Sequence, residues 1–223
     1  PGLGEADEYP AHPVTLSAFQ IDRTEVMLGH YWQCAIVGAC AAPHSETVRF
    51  NHHYVNDPSF DNYPVVGIPW EEARNYCAWQ GKRLPTEAEW EMAAGWNDEL
   101  GAKFAWPWGS DPTAGEGNVG NSSAEQPVEV ASFPDDKSPA GLMDMAGNVN
   151  EWVFDWYKVD YYSTSNDTNP KGPTHRRGEG TGRVVRGGSF QNPIEQARTT
   201  NRESQLPNYG YPTIGFRCAK SVN

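Results

Sequence analysis

The chain has 223 residues, 38% hydrophobic and 12% aromatic, with 22 glycines, 18 prolines and a net charge of −12 at neutral pH. That length accommodates one large or two small domains with a substantial core, and so many helix-breaking residues exclude a helical bundle. The negative charge, with no basic run beyond Lys82-Arg83 and His175-Arg176-Arg177, excludes a nucleic-acid interface, which needs concentrated positive charge to displace counterions. No apolar run approaches the roughly 18 residues of a membrane span, so no transmembrane segment is expected. A chain beginning at Pro1 is expected to be a mature or trimmed form, compatible with a removed signal peptide.

Residues 13–20 alternate apolar and polar and predict a strand. Thr24 stands as N-cap of a helix predicted from about Glu25 to Val37, with Val26, Gly29, His30, Gln33 and Val37 at helical spacing and Gly38 at the stop. Four cysteines, Cys34, Cys40, Cys77 and Cys218, form no C-x-x-C pair, and no histidine sits at zinc-finger spacing from them. Their even number in an acidic, loop-rich chain predicts two disulfides and an extracytoplasmic setting, periplasmic or secreted. Of the three pairings, 34–40 with 77–218 is favoured; four buried thiols are the alternative. A 34–40 bridge would staple the helix end to its loop for about 2 kcal/mol.

Residues 41–63 read as loop. His52-His53 beside Asp57 and Asp61, with His44 upstream, suggest iron or zinc, but adjacent side chains diverge and rarely share an ion. The apolar run 64–69 leads into a helix from Trp70 to about Gln80, burying Trp70, Ala73, Tyr76 and Cys77. Thr86 and Glu89 make a capping box for a helix reaching about Ala94. The acids of residues 87–91 read as a complement to the helix dipole and a solvated face. Residues 96–140 are turns with short strands around the aromatic corner Trp106-Pro107-Trp108-Gly109. Residues 158–182 read as a polar surface loop, Gly182–Phe190 as a strand entering a glycine turn, and Ile214–Ala219 as a final strand. No repeat or linker divides the chain, so residues 1–223 are expected to form one domain.

The most informative stretch is Gly141-Leu142-Met143-Asp144-Met145-Ala146-Gly147-Asn148-Val149-Asn150-Glu151-Trp152. Asp144 and Glu151 bracket a glycine turn, and hard cations such as Ca²⁺ take carboxylate oxygens together with backbone carbonyls that only a tight turn can aim inward. Two solvated acids are the plainer alternative.

Five ordered blocks carry a resemblance: residues 19–26 (FQIDRTEV), 81–91 (GKRLPTEAEWE), 147–152 (GNVNEW), 186–190 (RGGSF) and 215–219 (GFRCA). In this order they resemble the formylglycine-generating enzyme, or sulfatase-modifying factor, family. The resemblance implies an α+β, modified C-type-lectin-like fold with much irregular structure, and a cystine between Cys77 and Cys218. It implies structural calcium held by Asp144 and Glu151 side chains and by the carbonyls of Gly147 and Val149. A second family calcium site uses an Asn–aliphatic pair, matched by Asn118-Val119, plus a downstream Asp; residues 120–128, with Asn121, Ser122, Ser123 and Glu125, contain none. The family's copper cysteines fall at Asn192 and Ala197. Neither residue offers the soft thiolate that Cu(I) requires, so no copper and no copper-dependent oxidation of a sulfatase cysteine are expected.

What remains is a polar segment, residues 189–213, with Ser189, Gln191, Asn192, Glu195, Arg198, Arg202, Tyr209 and Tyr211 as a candidate surface for a protein partner or small ligand. The favoured reading is a calcium-stabilised binding module or accessory subunit, leaning away from an enzyme. The alternative is an oxidoreductase resembling the family's siderophore-maturation or non-haem-iron branches. The scattered histidines, with no separate helical domain to add ligands, count against it.

Overall fold

The computed structural model describes residues 4–43, 48, 50–113, 117–120, 125–174 and 182–222. His44, the 121–123 part of the second calcium match and the basic run 175–177 lie outside them. The elements are β1 (Phe19–Ile21), α1 (Leu28–Ile36), α2 (Trp70–Trp79), α3 (Glu87–Gly95), β2 (Trp96–Asn97), β3 (Ala102–Lys103), β4 (Asn150–Trp156), β5 (Arg183–Arg186), β6 (Glu203–Gln205), β7 (Ile214–Gly215) and β8 (Ala219–Ser221). The main sheet has the order β6-β5-β4-β7, antiparallel except for β4 with β7; β1 pairs with β8 and β2 with β3. Short sheets, three α-helices among the described residues and long irregular connections make the α+β fold.

Local signals set α2 and α3. Pro69 precedes α2, and both halves of the Thr86/Glu89 capping box are formed at α3, satisfying amides that the first helical turn leaves without partners. The start of α1 differs from the sequence expectation. Thr24 does not cap it; its hydroxyl donates to the Glu25 carbonyl, and Met27 is the N-cap. Residues 25–27 stay extended because the Val26 amide donates to the Phe216 carbonyl and the Val26 carbonyl accepts from Val65. Backbone groups that a first helical turn would have used are taken by distant partners.

The other strands are also shorter than the sequence pattern. Of residues 13–20 only the end joins β1, Thr15 making an isolated bridge to Thr168. The final strand splits: residues 214–215 lie along β4, residues 219–221 along β1, and residues 216–218 cross between the sheets. Cys218 is bonded there to Cys77 of α2, and Cys34 to Cys40.

The larger core cluster is aromatic, with Tyr31, Tyr54, Trp70, Tyr76, Trp152 and Phe216; a second cluster packs Trp90, Met145, Val153 and Val184. Two buried indoles are satisfied by carbonyls, Trp70 Nε1 donating to Val153 (2.7 Å) and Trp152 Nε1 to Ile68 (2.9 Å), as large rings with one polar atom require. The Arg183 guanidinium lies between the Trp70 and Trp156 rings, 3.6 and 3.8 Å from their centroids. No helix among the described residues is long and apolar enough to cross a membrane.

Candidate functional site

The turn before β4 is built on tight approaches. Gly147 adopts φ +100°, and a Cβ there would stand 2.5 Å from the Asn118 carbonyl oxygen. Asn148 follows at φ 55°, its amide donating to that same carbonyl. The Asn118 side chain donates to the Gln126 carbonyl (3.1 Å) and Asn148 Oδ1 (3.2 Å). Val119 packs with Ala146 and Ala197. The pair matched to a second calcium site thus clamps the turn.

At the start of β4, Glu151 is fully buried. Arg217, on the crossing segment 216–218, donates from Nε to both carboxylate oxygens (3.0 and 2.8 Å) and from Nη2 to Oε1 (2.7 Å), and Trp90 Nε1 donates to Oε2 (3.0 Å). The remaining Arg217 donors reach the carbonyls of Asp22, Arg23, Met143 and Asp144. Both oxygens of Glu151 are engaged by a cation and an indole, so this side chain does not fit the calcium-ligand role that the resemblance assigns it.

Asp144, at φ 58° and buried, accepts from the Ala131 amide (2.6 Å). Its carboxyl group faces that of Glu25. Asp136 is buried nearby and accepts from the Ala146 amide (3.4 Å). Burial, then the neighbouring Asp144 charge, push the carboxyls of Glu25 and Asp136 well above the usual range despite Arg217. Four acids thus gather around one fully buried guanidinium. Among the described residues no three His, Cys, Asp or Glu side chains converge closely enough to hold a metal by themselves. Glu25 and Asp136 escaped sequence reasoning because an acid in a presumed first helical turn reads as a dipole complement and an acid in a turn reads as solvated.

The glycine turn after β5 leads to the positions of the family's copper cysteines. Gly187 (φ +93°) and Gly188 (φ +70°) carry the chain past Trp90 and Ala197, where a Cβ would meet heavy atoms at 3.2 and 3.1 Å. Asn192 Oδ1 accepts from the Ser189 amide (3.0 Å) and hydroxyl (2.6 Å) and from Asn150 Nδ2 (3.3 Å), while its Nδ2 donates to Gln196 (2.5 Å). Ala197 is fully buried. Both positions serve packing and loop closure.

The proposed surface of residues 189–213 is only partly a surface. Gln191, Glu195 and Tyr209 are exposed, and Asn192 is half-buried. Tyr211, also half-buried, packs its ring edgewise on Trp152. Ser189, Arg198 and Arg202 are buried. Arg198 pairs with Glu8 through both terminal nitrogens (2.7 and 2.6 Å), and Arg202 with Glu87 (2.7 and 3.0 Å). Neither guanidinium is available to a surface ligand, so both leave the candidate binding set: each is matched to an acid far away in sequence.

Those partners also correct the solvated-face reading of α3. Glu87 is buried between Arg202 and Arg186, and Glu91 binds Arg186 and Lys103. Burial alone would raise the Glu91 carboxyl; the charges of Lys103 and Arg186 overcome it and lower it to about 2. A depressed folded-state value contributes stability that is present above the unfolded pKa and lost as pH falls toward the folded one. Glu91→Gln is therefore expected to lose roughly 3 kcal/mol at pH 7, the deficit shrinking between pH 4.5 and about 2. Urea unfolding of both proteins across that range measures it.

Residues 2–222 match the family described as sulfatase-modifying factor enzyme 1-like domain. The chain is similar to a protein named serine/threonine-protein kinase Pkn1 from Chlamydia trachomatis, 36% identical over 235 residues, covering 99% of this chain and 36% of that protein. It is similar to the formylglycine-generating enzyme of Streptomyces coelicolor, 37% identical over 178 residues, covering 73% of this chain and 54% of the enzyme. Among solved structures, Treponema denticola variable protein 1 superposes with a TM-score of 0.72 at 26% identity, covering 94% of this chain and 86% of that one. The chain spans about a third of the length of the chlamydial relatives and about half that of the Streptomyces enzyme. By its full-length match, its ordered motifs and its C-type-lectin-like architecture, this chain belongs to the sulfatase-modifying factor, or formylglycine-generating enzyme, family.

Proposed function

We propose that this chain is an extracytoplasmic, calcium-stabilised member of the family that does not perform copper-dependent formylglycine generation and acts as a binding module or accessory unit of a larger assembly. The observation that carries this reading is the structural use of Asn192 and Ala197. An amide with three hydrogen bonds to its own loop and one from Asn150 of β4 and a methyl in the core replace the two thiolates, and no free cysteine is left to substitute for them. Two disulfides support an oxidising compartment. The chlamydial relatives, about three times longer than the stretch they share with this chain, support a role as one unit among others. Calcium belongs in this reading as a structural ion beside Asp144. The exposed residues Gln191, Glu195 and Tyr209, with Asn192 and Tyr211 at the edge, are the polar and aromatic groups left to meet a protein or small ligand.

The test is to load the purified protein with Cu(I), incubate it with a cysteine-containing sulfatase peptide under oxygen, and follow aldehyde formation and metal content. The expected result is neither aldehyde nor stoichiometric copper or iron. Aldehyde product, or one copper or iron per chain, would overturn the non-catalytic reading and favour metal-dependent oxidation. Affinity capture from the native source with the intact chain, against a variant altered at Gln191, Glu195 and Tyr209, then identifies what the exposed part of the segment binds.

A further inference from the structure

Elsewhere in the described interior, acids are matched by bases, amides or a hydroxyl: Glu151 by Arg217, Glu87 by Arg202, Glu8 by Arg198, Asp155 by the Glu87 amide and Asp7 by the Tyr157 hydroxyl. Glu25 is the exception. It is 2% exposed, and neither carboxylate oxygen has a hydrogen-bond partner; one oxygen of Asp136 is also unpartnered. A buried carboxylate without a donor or cation is strongly unfavourable. The backbone next to Glu25 is held extended, the Val26 amide donating to the Phe216 carbonyl and the Val26 carbonyl accepting from Val65. The Glu25 carboxyl group faces Asp144, itself bonded on Oδ2 to the Ala131 amide. A surface cleft of about 410 Å³ lies beside this segment, its lining including Asp22, Arg23, Thr24, Glu25 and Lys82.

We propose that Glu25 and Asp144 together are the carboxylate ligands of a hard divalent cation, with Asp136 adding negative charge behind them. The inference rests on the calcium reading above and changes its ligand set: Glu25 takes the place of Glu151, which is committed to Arg217 and Trp90. Two carboxylates do not complete a calcium shell of six to eight oxygens, so the rest come from backbone carbonyls and water. Carboxylate pairs with no basic partner suit Ca²⁺ over softer, nitrogen- or sulfur-seeking ions.

The test uses the intact chain, stripped with a calcium chelator and titrated with Ca²⁺ alone, reading the unfolding temperature and bound calcium by equilibrium dialysis. Wild type is expected to bind Ca²⁺ and to gain roughly 5–10 °C at a hundredfold excess over Kd. Glu25→Gln is expected to weaken binding by roughly 100-fold or more. Glu71→Gln, an exposed acid on α2, serves as control and is expected to match wild type. Absence of any calcium response in wild type overturns both this inference and the calcium reading. A response that Glu25→Gln retains with wild-type affinity overturns this inference alone. Should Glu25→Gln fail to fold, a crystal structure of the wild type with Ca²⁺ decides: an ion about 2.3–2.6 Å from the Glu25 carboxylate supports the site, and an ion remote from Glu25 overturns it.

Discussion

Glu151→Gln is expected to lower the unfolding free energy by about 3–5 kcal/mol, the usual result of removing one partner of a buried ion pair. The loss arises on the other partner. Arg217 is fully buried and would keep the carbonyls of Asp22, Arg23, Met143 and Asp144 as acceptors, but would lose the carboxylate that pairs directly with its charge. Trp90 would keep at most a weaker acceptor. Urea unfolding with and without saturating Ca²⁺ is the measurement, and the loss should be equal in the two conditions. A loss that appears only with Ca²⁺ would return Glu151 to the ligand set. The double variant Glu151→Gln with Arg217→Met should recover a large part of the deficit, because an apolar side chain of similar volume leaves no orphan charge. A double variant as unstable as the single one would contradict this account.

Loss of the Cys77–Cys218 bridge is expected to be at least as severe. Its sequence separation is 141 residues, and the chain-entropy model gives about 5 kcal/mol for a loop of that size. The bridge joins α2 to segment 216–218, which crosses between the two sheets and carries Arg217. Without it, the segment that sets the Glu151 pair loses its covalent anchor. The Cys34–Cys40 bridge closes a separation of only 6 residues and is expected to contribute about 2 kcal/mol. Comparing Cys77→Ala/Cys218→Ala with Cys34→Ala/Cys40→Ala in thermal and urea unfolding tests the order. Equal effects would show that loop length does not govern the contribution here. Peptide mapping without reductant should recover both cystines from the native protein.

Some of the fold was legible residue by residue, and the reason differs from case to case. The capping box at α3 was readable because Thr86 and Glu89 satisfy each other across one turn, with no help from elsewhere. The stop of α2 could be read at Gly81 (φ +68°) for the same local reason. The start of α1 could not be, because Val26 is claimed by Phe216 and Val65. Nor could the division of residues 214–221 into β7 and β8: a continuous apolar run does not say which sheet each half will join.

The sequence by itself determined family membership, the C-type-lectin-like α+β architecture, the local caps and turns, and the absence of thiols at positions 192 and 197. Those properties follow from residue identity and from contacts spanning one helical turn or one tight bend. Tertiary structure alone decided the fate of the charges. Arg198 is matched to Glu8 across 190 residues, Arg202 to Glu87 across 115, and Arg217 to Glu151 across 66. An isolated Arg or Glu reads as surface because burying it alone is prohibitive; only the folded chain brings the partner that makes burial tolerable. The same physics singles out Glu25, a buried acid neither of whose carboxylate oxygens has a hydrogen-bond partner.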